Sequence, residues 1–239
     1  MKPKLAAPFF EVGVKNYIYG DDVLRLAKAA DDAARKFAID VLFIAPYTEI
    51  RRVAENTRNL IVLAPYMDLL APGRGIADVL PEALKAAGAR GVVVNHCEKP
   101  MALSAIKQTI DRAMSLDMLS FACSNTVAEA KAIAHFNPDV INPEPTELIG
   151  TGKPSDMKFV SQVTEAIKSI NPSILVEQAA GLSTGKHAYD LIFAGAEACG
   201  ACSGIVNAAD PCAMVEEMIS NVRKAYNDRK KTLLQETTT

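Results

Sequence analysis

Residues 139–154, DVINPEPTELIGTGKP, set the pattern from which the rest of the chain is read. The apolar run 139–141 reads as a buried strand. Glu144 leaves at its end, and Pro145 stiffens the next step by fixing φ and removing a donor. Gly150, Thr151 and Gly152 then offer backbone amides and permissive dihedrals, with Lys153 as a cation. A strand-end carboxylate, a stiffened hinge and a Gly-rich loop together make a lid over an anionic substrate. A surface loop punctuated by Pro and Gly is the plain alternative, and the neighbouring segments decide between them. Ser155 N-caps the helix that follows, over 155–170.

The same strand–loop–helix unit recurs along the chain. Strands are expected over 9–14, 39–45, 60–64, 91–95, 119–123, 139–141, 174–178 and 198–202. Most are near-continuous apolar runs, as expected of strands buried on both faces. Between them, apolar residues at helical spacing predict helices from Asp22 and over 48–55, 80–87, 102–114, 126–135, 155–170 and 186–194, with a last one over 212–226. Gly88 reads as a C-cap, and 227–239 as a polar tail frayed at its end. Strands alternating with helices imply βαβ units and a parallel sheet. Eight units in about 250 residues give a closed (β/α)8 barrel, the TIM-barrel architecture, with residues 1–239 as a single domain. An open doubly wound sheet is the alternative, but it usually carries GxGxxG after its first strand, which is absent here.

Composition narrows the class. With 239 residues and 49% hydrophobic content the chain can bury a large core, and a formal net charge of -2 gives no reason to invoke nucleic acid or an acidic membrane surface. The apolar runs are all much shorter than a membrane span, and MKPKLAAPFFEV is not a secretory signal. Five cysteines without framework spacing fit a reducing cytoplasm. The CxxC of Cys199 and Cys202 lies on a buried strand with no helix after its first Cys, so neither a redox nor a zinc role is assigned. His135 and His187 fall on outer helices and read as surface residues.

In a barrel of this kind the active site sits at the C-terminal ends of the strands. Lys15, His96, Glu144, the turn from Gly181 to Thr184, and Ser203-Gly204 all fall there. The last two follow strands 7 and 8, where the fold frequently holds a phosphate.

With these residues in place the sequence resembles the triosephosphate isomerase family, in particular its short, archaeal-type branch. The resemblance rests on NHCEKP (family pattern NHSE or GHSE), PEPTELIGTGKP (EPxxxIGTG) and the GLSTG and SGIV loops, and it runs over nearly the whole chain. It implies that Glu144 moves a carbon-bound proton, that His96, kept neutral by a helix N-terminus, polarises the carbonyl, and that Lys15 supplies positive charge beside the enediolate. By the same resemblance Glu98 pairs with Lys15, Asn95 supports the site, and Gly150, Thr151, Gly152, Gly181, Ser183, Ser203 and Gly204 hold the phosphate. It also implies a homodimer or homotetramer. The chemistry agrees: proton removal beside a carbonyl needs a positioned base and a group to hold the oxyanion, without metal or cofactor.

Two positions depart from the family. Its NxK pattern has Asn where this chain has Gly13, and its third loop has a Thr-Gly pair where Ile76-Ala77 stand. The expected consequence is a larger, less polar pocket beside Lys15, with Gly13 and Ile76 setting substrate size. Triose phosphate remains the first expectation, a tetrulose or pentulose phosphate the second. A non-catalytic sugar-phosphate-binding regulatory barrel is the alternative from another class, although it would tolerate loss of Lys15, His96 or Glu144, and all three are present. An aldolase would want a Schiff-base Lys within a strand, and no strand carries one.

Overall fold

A computed structural model describes residues 1–236. Eight strands close in chain order, every neighbouring pair parallel and the last returning to the first. They are β1 (Phe9–Gly13), β2 (Asp40–Ile44), β3 (Leu60–Ala64), β4 (Gly91–Val94), β5 (Leu119–Ser124), β6 (Val140–Pro143), β7 (Leu175–Gln178) and β8 (Ala198–Ala201). The expected (β/α)8 barrel is the fold observed. Around it run α1 (Asp21–Phe37), α2 (Ile50–Asn56), α3 (Pro81–Ala86), α4 (Leu103–Ser115), α5 (Val127–Ala134), α6 (Met157–Lys168), α7 (Gly185–Ala194), the short α8 (Ser203–Val206) and α9 (Pro211–Glu236).

Two apolar layers explain why the strands read as continuous hydrophobic runs. In β1, Phe10 and Val12 face outward into the layer shared with the helices, which also holds Val41, Phe43 and Leu26. Phe9 faces inward with Leu42, Leu63, Leu119 and Phe121 to fill the barrel. Because side chains alternate with a period of two, Glu11 and Gly13 share the inward face with Phe9. A carboxyl therefore stands inside the barrel, directly below the mouth.

The structure differs from expectation at two helix ends. Asp156, not Ser155, caps α6: its side chain accepts the Phe159 amide at 2.8 Å. Ser155 is buried with its hydroxyl unpartnered. The last helix, expected to end at Tyr226, continues as α9 to Glu236. Its polar residues are anchored, Asp228 accepting the Tyr189 hydroxyl at 3.1 Å, and just upstream Arg223 Nε donates to Phe37 O at 2.7 Å. Positions 237–239 of that tail lie outside the described residues. Gly88 follows α3 with φ +104°, and a Cβ there would come within 2.4 Å of Ala54 Cβ, so conformation and space both require glycine.

Candidate active site

The mouth of the barrel collects the strand-end residues around a cavity of about 700 Å³. Lys15, two residues past β1, takes φ +45° and places Nζ 2.9 Å from Glu98 Oε1. His96 lies in the turn after β4, which Asn95 holds in place. The Asn95 amide donates to Cys123 O (3.1 Å) and Glu129 Oε1 (2.8 Å), while its Oδ1 accepts the Met101 N–H (2.9 Å).

The state of His96 follows from its partners. Its Nδ1 accepts the Glu98 amide at 3.2 Å, so the neutral ring carries its proton on Nε2. Nε2 stands 3.9 Å from Glu144 Oε2. Burial lowers the His96 pKa, the Lys15 charge lowers it further, and Glu98 opposes both. The amide that fixes the tautomer belongs to the turn closed by Lys99 N–H to His96 O (2.7 Å), whereas α4 begins only at Leu103. The helix N-terminus implied by the resemblance is therefore replaced here by a turn. Glu144 is pushed upward, mainly by burial and to a lesser degree by Glu98, with Lys15 pulling it down. A carboxylate so placed is a stronger base than a solvated one, yet the adjacent cation favours its charged form.

At the other end of the cavity, Gly150, Gly181 and Ser203 form part of the wall. Thr151, Gly152, Ser183 and Gly204 stand beside them. Three loops meet here at glycines: a Cβ on Gly181 (φ +68°) would come 2.0 Å from Lys153 O, and one on Gly204 2.2 Å from Leu182 O. Thr151 Oγ1 donates to Leu148 O at 2.8 Å and braces the loop after β6. His187 lies on the outer helix α7, partly exposed, and its Nδ1 accepts the Ser183 amide at 3.3 Å. His135 is exposed on the outside.

A family model for triosephosphate isomerase matches residues 12–184. The chain belongs to the triosephosphate isomerase family. It is 33% identical over 206 residues to the triosephosphate isomerase of Methanothermus fervidus, covering 85% of this chain and 92% of that one. Similarity to the Methanobacterium bryantii enzyme of the same name is 33% over 220 residues, 90% and 97% of the two chains. With that of Sulfolobus acidocaldarius it is 29% over 233 residues, 96% and 99%. The relatives span nearly the whole chain, as the four motifs do.

The interior of this barrel holds two carboxyls that the strand-end pattern does not point to. The space beside Gly13 is not vacant: a Cβ on Gly13 would lie 2.8 Å from Glu11 Oε1. The wall near Lys15 is therefore filled and polar, contrary to the larger, less polar pocket expected. Ile76 is fully exposed and outside the cavity wall, which its neighbour Ala77 joins. Glu177 on β7 also points inward, and a Cβ on Gly200 of β8 would meet Glu11 Oε2 and Glu177 Oε1, each at 2.4 Å. Gly200 is thus the floor on which two carboxyls lie together. The signal was present in FFEVGVK, where a Glu sits two residues before Gly13 on the inward face of an otherwise apolar strand. Cys202 also borders the cavity, its thiol pushed up to about 12 by burial and then by Glu11.

Proposed function

We propose that this chain is an aldose–ketose isomerase interconverting dihydroxyacetone phosphate and glyceraldehyde 3-phosphate through an enediolate. The Glu144 carboxylate takes a proton from the carbon beside the carbonyl. His96 Nε2–H donates to the carbonyl oxygen as charge develops, and the Lys15 ammonium lies next to that charge. Glu144 then returns the proton to the neighbouring carbon, and His96 serves the second oxygen. The phosphate is assigned to Gly150, Thr151, Gly152, Gly181, Ser183, Ser203 and Gly204, with the lid excluding water from the intermediate.

The observation that carries this reading is the pairing of His96 and Glu144 at 3.9 Å, with the imidazole proton directed to Nε2 by the Glu98 amide. Membership of the family supports the triose substrate, and the filled wall at Gly13 removes the physical motive for a tetrulose or pentulose phosphate. A homodimer or homotetramer in the cytoplasm, serving glycolysis, is the setting we assign by family; five free thiols suit a reducing compartment. Among the described residues no helix is long and apolar enough to cross a membrane.

Glu144→Asp tests the assignment. Withdrawing the carboxylate by roughly 1 Å should lower kcat about 10²-fold with little change in substrate binding. Unchanged turnover would remove Glu144 from the mechanism.

A further inference from the structure

The carboxyl of Glu11 has no part in the mechanism above, yet it borders the same cavity as Lys15, His96 and Glu144. It rises from the inward face of β1 into the place that a side chain at Gly13 would take. We infer that Glu11, in its neutral acid form, is a further catalytic residue: its O–H donates a hydrogen bond to the substrate oxygen nearest Lys15, in place of the donor missing at Gly13. The inference rests on the function proposed above and adds a fourth group to that site.

Three observations support it. The first is position, since Oε1 stands 2.8 Å from where a Cβ on Gly13 would be. The second is burial. Glu11 is 5% exposed, and that remainder opens into the cavity. The third is charge environment, taken element by element. Leu42 and Ile44 of β2 offer no charge. Cys123 of β5 is a fully buried thiol held neutral. Glu144 after β6 repels a second negative charge, and Glu177 on β7 is a carboxyl itself raised well above its ordinary range by burial and then by Glu11. On and after β8, Cys199 and Cys202 are thiols raised above their ordinary range. Only Lys15 favours the anion, and Lys15 is already paired with Glu98. Burial and Glu144 together hold Glu11 up at about 8, so at neutral pH it is an acid with a proton to donate.

A neutral carboxylic acid can donate to an oxyanion where a carboxylate would repel it. The consequence is an alkaline limit on the site, because above about pH 8 the donor becomes a charge of the wrong sign.

The test is calorimetric binding of 2-phosphoglycolate, a carboxylate-bearing phosphate that mimics the enediolate, from below to above pH 8. Beyond the Glu11 pKa, wild-type affinity should fall more steeply than that of Glu11→Gln, by roughly a further tenfold per pH unit. Glu11→Gln keeps a donor that does not titrate and retains only the fall due to the proton that Glu144 shares with the ligand carboxylate. Glu11→Leu should bind about 10²-fold more weakly at neutral pH. Wild-type affinity in Glu11→Leu, or the same alkaline fall in Glu11→Gln, would overturn the inference. Should either variant fail to fold, the wild type alone decides: 2-phosphoglycolate should shift the infrared carbonyl band of the neutral acid, and an unmoved band would overturn it. Binding needs no turnover, so a chain that binds the ligand as described but isomerises nothing would refute the proposed function while leaving the placement of Glu11 intact.

Discussion

The mouth of the barrel and the space just beneath it hold the same side-chain type under opposite conditions. At the mouth every charge has an answer: Lys15 pairs with Glu98, and Glu144 faces both Lys15 and His96. Beneath it, Glu11 and Glu177 lie together over Gly200, and neither Glu177 oxygen has a hydrogen-bond partner. Lys15 favours the anion of both Glu144 and Glu11, but at Glu11 burial and a like neighbour outweigh it and the carboxyl keeps its proton. In the proposed mechanism four glutamates of one strand-end region thus serve as an ion-pair partner, a base and two protonated acids through environment alone.

Removing the cation should break this contrast most severely. Lys15→Met should lower kcat/KM by about 10²–10³-fold, the usual loss on deleting a group that stabilises developing charge. Lys15 also lowers the pKa of Glu144, so its loss should move the acidic limb of the pH–rate profile to higher pH. A limb that stays in place would show that the two groups are uncoupled.

The lower carboxyls should appear in stability. Glu11 moves from 4.5 to about 8 on folding, and Glu177 is also raised, by burial first and then by Glu11. Below 4.5 both states hold these protons, and their contribution is fully favourable. As pH rises from there toward 8, the unfolded chain releases protons that the folded chain keeps, so stability falls by about 1.4 kcal/mol per unit for each such group. The melting temperature should therefore decline across that window, and Glu177→Leu should reduce the slope. An unchanged slope in that variant would mean that Glu177 is ionised in the fold.

A subtler change probes the floor itself. Gly200→Ala drives a methyl toward both carboxyls, at a cost of about 1–3 kcal/mol, part of which should return in a Glu177→Ala background. Full additivity would place Glu177 elsewhere. Asp156→Ala, away from the floor, gives the reference scale: loss of the α6 cap should cost about 1 kcal/mol in chemical denaturation, and no loss would put the cap on another residue.

Most of the fold was legible because its signal repeats. Each strand is an apolar run on both faces, and each is followed by a helix with its own periodicity, so an error at one boundary does not change the count. The helix ends failed where neighbours compete, as with Ser155 and Asp156, or where polar residues find tertiary anchors, as Asp228 does on Tyr189. Lys15, His96 and Glu144 were readable from strand-end position and from the motifs. Glu11 and Glu177 were not, because a glutamate within an apolar strand shows its meaning only when the register puts it over Gly200 and beneath Gly13. Gly13 stands out from the family pattern in the sequence, whereas the glutamate two residues before it gains its meaning only from the fold.

The central claim is that this site moves a proton between the two carbons of a triose phosphate. Incubating the wild-type protein with dihydroxyacetone phosphate in deuterium oxide, followed by proton NMR, tests it most directly. The account predicts deuterium entering carbon-bound positions together with the appearance of glyceraldehyde 3-phosphate, both slowed about 10²-fold in Glu144→Asp. Binding of dihydroxyacetone phosphate with no exchange and no aldehyde product would contradict it and identify a sugar-phosphate-binding barrel instead.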